Sequence, residues 1–237
     1  MIRLHVVFNN VATKKGLTAS WGFACLIEHA DRTILFDTGG DGKVLLSNMR
    51  RMSLDPGAVD AIVFSHFHWD HVGGLPAFLG SNVEVTVFLP PSFPPSFRRE
   101  LQHAHVHAKV VTGPGPILPG VSTTGELAAE MPEQALVLQA AAGLVVITGC
   151  AHPGVAFMAE RAQVLLGERI QLLMGGFHLG GHSAAEIQAI IGRLEALGVE
   201  KVAPSHCTGE TATRLFREHW QGNFVDGGLG AVIEVES

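Results

Sequence analysis

Cysteine is scarce in this 237-residue chain, with Cys25, Cys150 and Cys207 the whole complement. Three scattered thiols cannot build a disulfide framework, so a hydrophobic core must carry the fold, and a reducing, cytoplasmic home is the simplest expectation. Excess positive charge is also missing. With 16 Lys and Arg against 22 Asp and Glu, the formal net charge is −6, which gives no electrostatic reason to expect a nucleic-acid partner. Every apolar run is broken by a charge or a glycine before it reaches the ~18 residues of a membrane span. The stretch Met1–Asn10 lacks the long apolar segment and small-residue cleavage site of a signal peptide and reads as a first strand. There is no repeat at solenoid periods, no charged tail and no low-complexity linker.

What is present is apolar. Hydrophobic residues make up 47% of the chain and mean hydropathy is positive, as a compact globule requires. The length allows a substantial core, and one domain over residues 1–237 is expected. Strands are expected at Leu4–Phe8, Trp21–Glu28, Thr33–Phe36, Ala61–Phe64, Val83–Leu89, Lys109–Thr112, Ala135–Gln139, Gly143–Thr148, Ile170–Met174, Lys201–Pro204 and Ala231–Val235. Helices are expected at Gly42–Arg51, shortly after Gly74, after the turn Pro90–Pro95, at Val155–Leu166 and near Glu210–His219. Ser183-x-x-Glu186 is a capping box for a further helix closed by Gly198. Meander-like strands early and strand–helix units later point to a mixed α/β fold, with sheet layers covered by helices.

The chain is organised around Ala61–Gly74. A short apolar strand runs into Ser65-His66-Phe67-His68-Trp69-Asp70-His71-Val72-Gly73-Gly74, placing the polar cluster at the carboxyl end of a strand, where α/β sheets set their sites. Imidazole is the commonest metal ligand, and a carboxylate beside it widens the choice of metal. His66 and His68 share a face if the chain is extended, while Asp70 and His71 face a second position once it turns. Phe67 and Trp69 are expected to anchor the loop against the core. His66-Phe67-His68-Trp69-Asp70-His71 resembles the His-x-His-x-Asp-His signature of the metallo-β-lactamase superfamily of metallohydrolases. That resemblance implies a four-layer αββα sandwich, which periodicity alone does not give. It also implies that Asp37, at the end of Ile34-Leu35-Phe36, orients the metal loop; a plain turn former is the alternative.

Three later segments again set a histidine after an apolar strand and beside glycine: Gly149-Cys150-Ala151-His152, Gly175-Gly176-Phe177-His178 and Ser205-His206-Cys207-Thr208-Gly209. If their strands are neighbours in one sheet, a dinuclear site follows, with ions ~3.5–4 Å apart sharing a hydroxide. His206 matches the superfamily's last ligand position and His152 is the preferred ligand of the middle segment. Many members carry a bridging aspartate near there, and this chain has none; Glu126 is the substitute. Cys150 can be a thiolate ligand, a residue behind the ligands, or a small buried apolar group. His178 can be a metal ligand, a proton donor to the leaving group or a contact to a substrate phosphate, and the helix at Ser183 could present backbone N–H groups to an anion. His103, His105 and His107 read as a solvated edge. Together the three segments resemble a subgroup described as archaeal dihydropterin–ribofuranosylaminobenzene 5′-phosphate synthase-like.

The expected ligands are therefore His66, His68, Asp70, His71, His152 and His206, with Asp70 and His178 in the chemistry and Asp37 and Cys150 behind or beside them. Zinc, as two ions, is the default metal, and manganese or iron can occupy such sites. A metal-bound hydroxide would hydrolyse an ester-like bond of a phosphate-bearing small molecule. The alternatives are a synthase-type transfer of pterin metabolism, an iron-dependent sulfur oxygenase, or a metal-containing module that binds a metabolite without turnover. The expected partners are a small-molecule substrate and a second copy of the chain, with neither nucleic acid nor membrane.

Overall fold

The computed structural model describes residues 1–236, which fold into two compact units: Met1–Thr112 with Gly228–Val235, and Gly113–Gly227 with Glu236. The first unit opens with an antiparallel meander of β1 (Ile2–Phe8), β2 (Ala24–His29) and β3 (Arg32–Phe36). From there the strands run parallel: β4 (Ala61–Val63), β5 (Thr86–Leu89) and β6 (His107–Val110) follow β3 in spatial order. The C-terminal strand Val232–Val235 pairs antiparallel with β1 and completes a seven-stranded sheet. Helix α1 (Gly42–Arg51) starts where the Asp41 side chain accepts from the N–H groups of Lys43 and Val44, and it ends with Arg50 and Arg51 against its negative pole. Short helices α2 (Trp69–Val72) and α3 (Leu75–Leu79) and the longer α4 (Pro95–His103) complete this unit. Leu45 and Met49 of α1 and Leu75 and Phe78 of α3 share a buried cluster with Leu35, Ile62, Phe64 and Val87.

The second unit follows the same plan. Strands β7 (Gly115–Leu118), β8 (Val121–Thr123), β9 (Leu136–Ala140) and β10 (Gly143–Thr148) form an antiparallel meander. Strands β11 (Ile170–Gly176) and β12 (Lys201–Ser205) then add in parallel, reached through α5 (Val155–Leu166) and α6 (Ala184–Ala196). Helix α7 (Glu210–Trp220) comes last in this unit's helices. Ile187, Ile191 and Leu194 recur at helical spacing on α6 and pack with Met158, Ala159 and Ala162 of α5 and with Phe216 and Trp220 of α7 over Val146, Leu173 and Val202. Ser183 forms the expected capping box with Glu186.

Meanders are thus not confined to the early chain. β7 and β8 escape a reading by pattern because one carries Gly115 and Pro116 and the other is three residues long. Strand β2 begins at Ala24 rather than Trp21, because Gly22 sits at φ +136° and a Cβ there would overlap Asp70 O. β10, β11 and β12 are neighbours in one sheet, so their following loops emerge along one edge, whereas β4 belongs to the other sheet. No helix among the described residues is long and apolar enough to cross a membrane.

Gly175, next to last in β11, sits at φ +113°, and a Cβ there would overlap Thr148 O. Gly192 lies exposed inside α6 with open space around it. Gly175→Ala is expected to destabilise by at least about 2 kcal/mol, lowering Tm by ~4–8 °C. Gly192→Ala is expected to raise stability by up to ~1 kcal/mol, and thermal melts of the two variants check the opposite signs.

Candidate metal sites

In the first unit the donor-bearing segment leaves β4 at Phe64. The backbone stays extended through His68 and then turns into α2, whose first turn carries Asp70 and His71. Asp37 follows β3, the strand beside β4, in a left-handed conformation at φ 57°. Its carboxylate is fully buried. Oδ1 accepts from Ser65 N at 2.8 Å, and Oδ2 accepts from Ser65 Oγ at 2.7 Å and from His71 Nδ1 at 2.7 Å.

A carboxylate can only accept, so these contacts fix the protons around it. His71 carries its proton on Nδ1, leaving the Nε2 lone pair for the other side of the ring. The Ser65 hydroxyl gives its only proton to Asp37, so it accepts from His66 Nδ1 at 2.8 Å. His66 Nε2 lies 3.1 Å from His68 Nδ1, so the two rings bring nitrogens together. One buried acid sets the tautomers of His71 directly and of His66 through Ser65. The ring centroids of His66 lie 4.7 Å from His68 and 4.2 Å from His71, and Asp70 Oδ2 is 3.7 Å from His71 Nε2. The structure brings all the first unit's expected donors together. Imidazole nitrogens with one carboxylate oxygen, the rings already oriented from behind, fit a zinc, manganese or iron ion.

Phe67 anchors the segment as expected, with ring centroids 5.2 and 5.4 Å from Phe93 and Phe97. Trp69 does not: it is 63% exposed and lies along Gly40, where a side chain would collide with it.

The second unit repeats the device with Glu133, a residue not among the expected ones. Glu133 is fully buried and antiparallel to Leu127 through a backbone bridge. Its Oε1 accepts from the backbone N–H of Gly149, Cys150 and Ala151 at 2.9–3.0 Å. Oε2 accepts from His152 N at 2.9 Å and His152 Nδ1 at 2.8 Å. His152 therefore carries its proton on Nδ1 and its lone pair on Nε2. Glu133 therefore shapes the loop after β10 and orients the ligand candidate that it carries. The only available signal was an acidic residue directly before the apolar run of β9.

His152 and His178 approach to a centroid distance of 4.5 Å. Donor atoms of Cys150, His152 and His178 lie within 4.8 Å of one another, as do those of Cys150, His206 and Cys207. His178 hydrogen-bonds Cys207, which raises the His178 pKa above the usual imidazole value despite partial burial. The Cys207 thiol is held well below its usual value, first by its hydrogen bond with Cys150 and then by His178 and His206. Ala151, His178 and His206 are all left-handed, at φ 61°, 52° and 52°. Glu126 joins neither group of donors among the described residues. The start of α6 is a poor anion site, because Glu186 Oε2 accepts from Ser183 N at 2.8 Å and puts a carboxylate there. His103, His105 and His107 are exposed, as expected of an edge, although His103 ends α4 rather than lying in an extended run.

The profile of the Metallo-beta-lactamase superfamily matches residues 22–206. Among curated relatives, a protein of Methanocaldococcus jannaschii named 7,8-dihydropterin-6-methyl-4-(beta-D-ribofuranosyl)-aminobenzene-5'-phosphate synthase is 28% identical, the alignment covering 86% of this chain and 84% of that one. Among solved structures, Tm1679, described as a metal-dependent hydrolase of the beta-lactamase superfamily, superposes with a TM-score of 0.84 at 30% identity over the whole of both chains. The short form of human tRNase Z superposes at 0.66 with 14% identity, over 99% of this chain and 100% of that one, a likeness of fold alone.

Glu133→Gln places an amide N–H₂ where either Oε1 or Oε2 accepted. With the amide nitrogen facing His152, Nδ1 must become the acceptor and the proton moves to Nε2. Ring ¹⁵N shifts of His152 are expected to exchange their protonated and lone-pair signatures in this variant, and unchanged shifts would remove the argument for tautomer control.

Proposed function

Because the chain belongs to the metallo-β-lactamase superfamily, we propose that it is a metal-dependent hydrolase acting on an ester-like bond of a phosphate-bearing small molecule. The observation that carries the reading is the pair of buried carboxylates, Asp37 and Glu133, each turning an imidazole so that its Nε2 lone pair points away from the acid. A tautomer fixed from behind, with the Nε2 lone pair left free, is what a metal-ligating histidine requires. The proposed ligands are His66, His68, Asp70 and His71 in the first unit and His152 and His206 in the second. Metal ions bound there supply Lewis acidity and lower the pKa of water towards 7.

The remaining steps belong to the chain's own groups. Asp37 holds the Nδ1 proton of His71 and, through Ser65, that of His66, so neither ring reorients as charge builds up at the site. Glu133 does the same for His152. Asp70 orients the attacking oxygen. His178, with one ring nitrogen engaged by Cys207, offers the other as proton donor to the leaving group. The phosphate in the substrate is suggested by the name of the Methanocaldococcus jannaschii relative. That name favours a second reading, a synthase-type transfer at the same residues.

Metal analysis of protein purified without chelator tests the first reading. About two zinc or manganese ions per chain are expected in the wild type, with losses in His66→Ala and His206→Ala. Chelation should abolish phosphoester hydrolysis, and added zinc or manganese should restore it. Asp37→Asn should weaken metal binding by ~10–100-fold while the protein stays folded. A single iron with oxygen uptake would favour a sulfur oxygenase, and metal with ligand binding but no turnover a binding module. No metal bound, and none taken up on addition, would end the proposal.

A further inference from the structure

The second unit gathers more donors than the proposed ligands use: besides His178, two of them are sulfur. Cys150 follows β10 and Cys207 follows β12, on loops at the same edge of the sheet. Cys150 Sγ is common to two donor groups, lying within 4.8 Å of His152 and His178 in one and of His206 and Cys207 in the other. Cys207 Sγ is 3.6 Å from Cys150 O. Room for this approach depends on Gly176, where a Cβ would stand 2.7 Å from Cys207 Sγ and 3.2 Å from Cys150 Cα. The backbone beside each thiol is also held in an uncommon conformation, with Ala151 at φ 61° and His206 at φ 52°. Left-handed non-glycine residues persist where the surroundings impose them, and they gather at functional sites. Cys25, buried in β2, belongs to none of these donor groups.

We infer that Cys150 and Cys207 are thiolate ligands, so that the metal held by the second unit has mixed nitrogen and sulfur ligation together with His152 and His206. This rests on the reading of the chain as a metal protein and deepens it by selecting the metal. Thiolate with imidazole suits zinc or iron(II), whereas manganese takes oxygen-rich sites. Zinc–sulfur bonds of about 2.3 Å and zinc–nitrogen bonds of about 2.0–2.1 Å set neighbouring tetrahedral donors ~3.5 Å apart, so the donors within each group need to close by ~1 Å. His152, which shares a group with Cys150 but not with His206 and Cys207, must also swing toward them. Binding converts each thiol to a thiolate: two S–H bonds break, two metal–sulfur bonds form and two protons pass to the buffer, with no change of oxidation state. Glu133 serves this arrangement as well, because three of the N–H groups that it binds belong to Cys150 and its neighbours.

Cobalt(II) loading of the full chain under reducing conditions tests the inference. A near-ultraviolet sulfur-to-cobalt charge-transfer absorption is expected in the wild type. Cys150→Ser and Cys207→Ser should each lose roughly half of it, the double variant should lose all of it, and Cys25→Ser should keep it, with melting curves checking that each variant is folded. X-ray absorption of the zinc-loaded wild type needs no variant, and it should show a sulfur shell near ~2.3 Å. Bound metal with a shell of nitrogen and oxygen only, or charge transfer that survives in the double variant, would overturn the sulfur ligation and leave the hydrolase reading standing. Failure to take up any of these metals would overturn both.

Discussion

A buried carboxylate that accepts a ring proton is the interaction on which both donor sets depend. Leaving an ionised acid unpaired in a protein interior costs several kcal/mol, so such a group must be surrounded by donors. Asp37 draws its donors from Ser65 and His71, and Glu133 draws its from the loop Gly149–His152. The surrounding polypeptide is thereby obliged to wrap each acid closely. The same wrapping brings the imidazoles to the carboxylates and fixes which nitrogen of each carries the proton. Local folding and ligand orientation are one event in each unit.

The backbone bears the cost of this arrangement at a few turn residues. Asp37 after β3, Ala151 after β10, His178 after β11 and His206 after β12 all take the left-handed conformation, which is unfavourable for a residue with a Cβ. Each stands within a few residues of a strand end, where the chain must leave the sheet and present side chains at once. A glycine would relieve the strain, but at Asp37, His178 and His206 it would remove the side chain that joins the donor cluster. Glycine is used instead where closeness matters more than chemistry, as at Gly175 and Gly176.

Much of this was legible in the sequence, and what was not has a physical reason. The segment from His66 to His71 declares itself because its donors are adjacent and follow an apolar strand. Helices α1 and α5 and strand β10 have the bounds read from pattern, since clear capping or breaking residues flank them. Asp37 is visible as a polar residue ending a strand, though only its contacts with Ser65 and His71 distinguish an orienting acid from a turn former. Glu133 was not visible, because its partners lie 16 to 19 residues downstream and nothing local requires an acid there. Trp69 misled for the opposite reason: an aromatic residue between ligands suggests an anchor, but the short helix α2 turns it outward. Glu186 was visible as half of a capping box, and that role removes the helix start from consideration as an anion site.

Orientation of ligands before metal arrives also bears on what the site can discriminate. A flexible cluster of imidazoles can rotate to suit many ions, and affinity then follows the general order of the metals. Rings locked by Asp37 and Glu133 cannot, so the identity of the donor atoms and the spacing between them decide the outcome. In the first unit those atoms are nitrogen and one carboxylate oxygen, a set that several divalent ions accept. In the second unit Cys150 and Cys207 stand among the histidines, beside Gly176, where a Cβ would meet Gly149 O as well as Cys207 Sγ. Histidines beside two thiols suit fewer metals than histidines alone, so if both thiols bind, selectivity would be decided at the loops after β10 and β12.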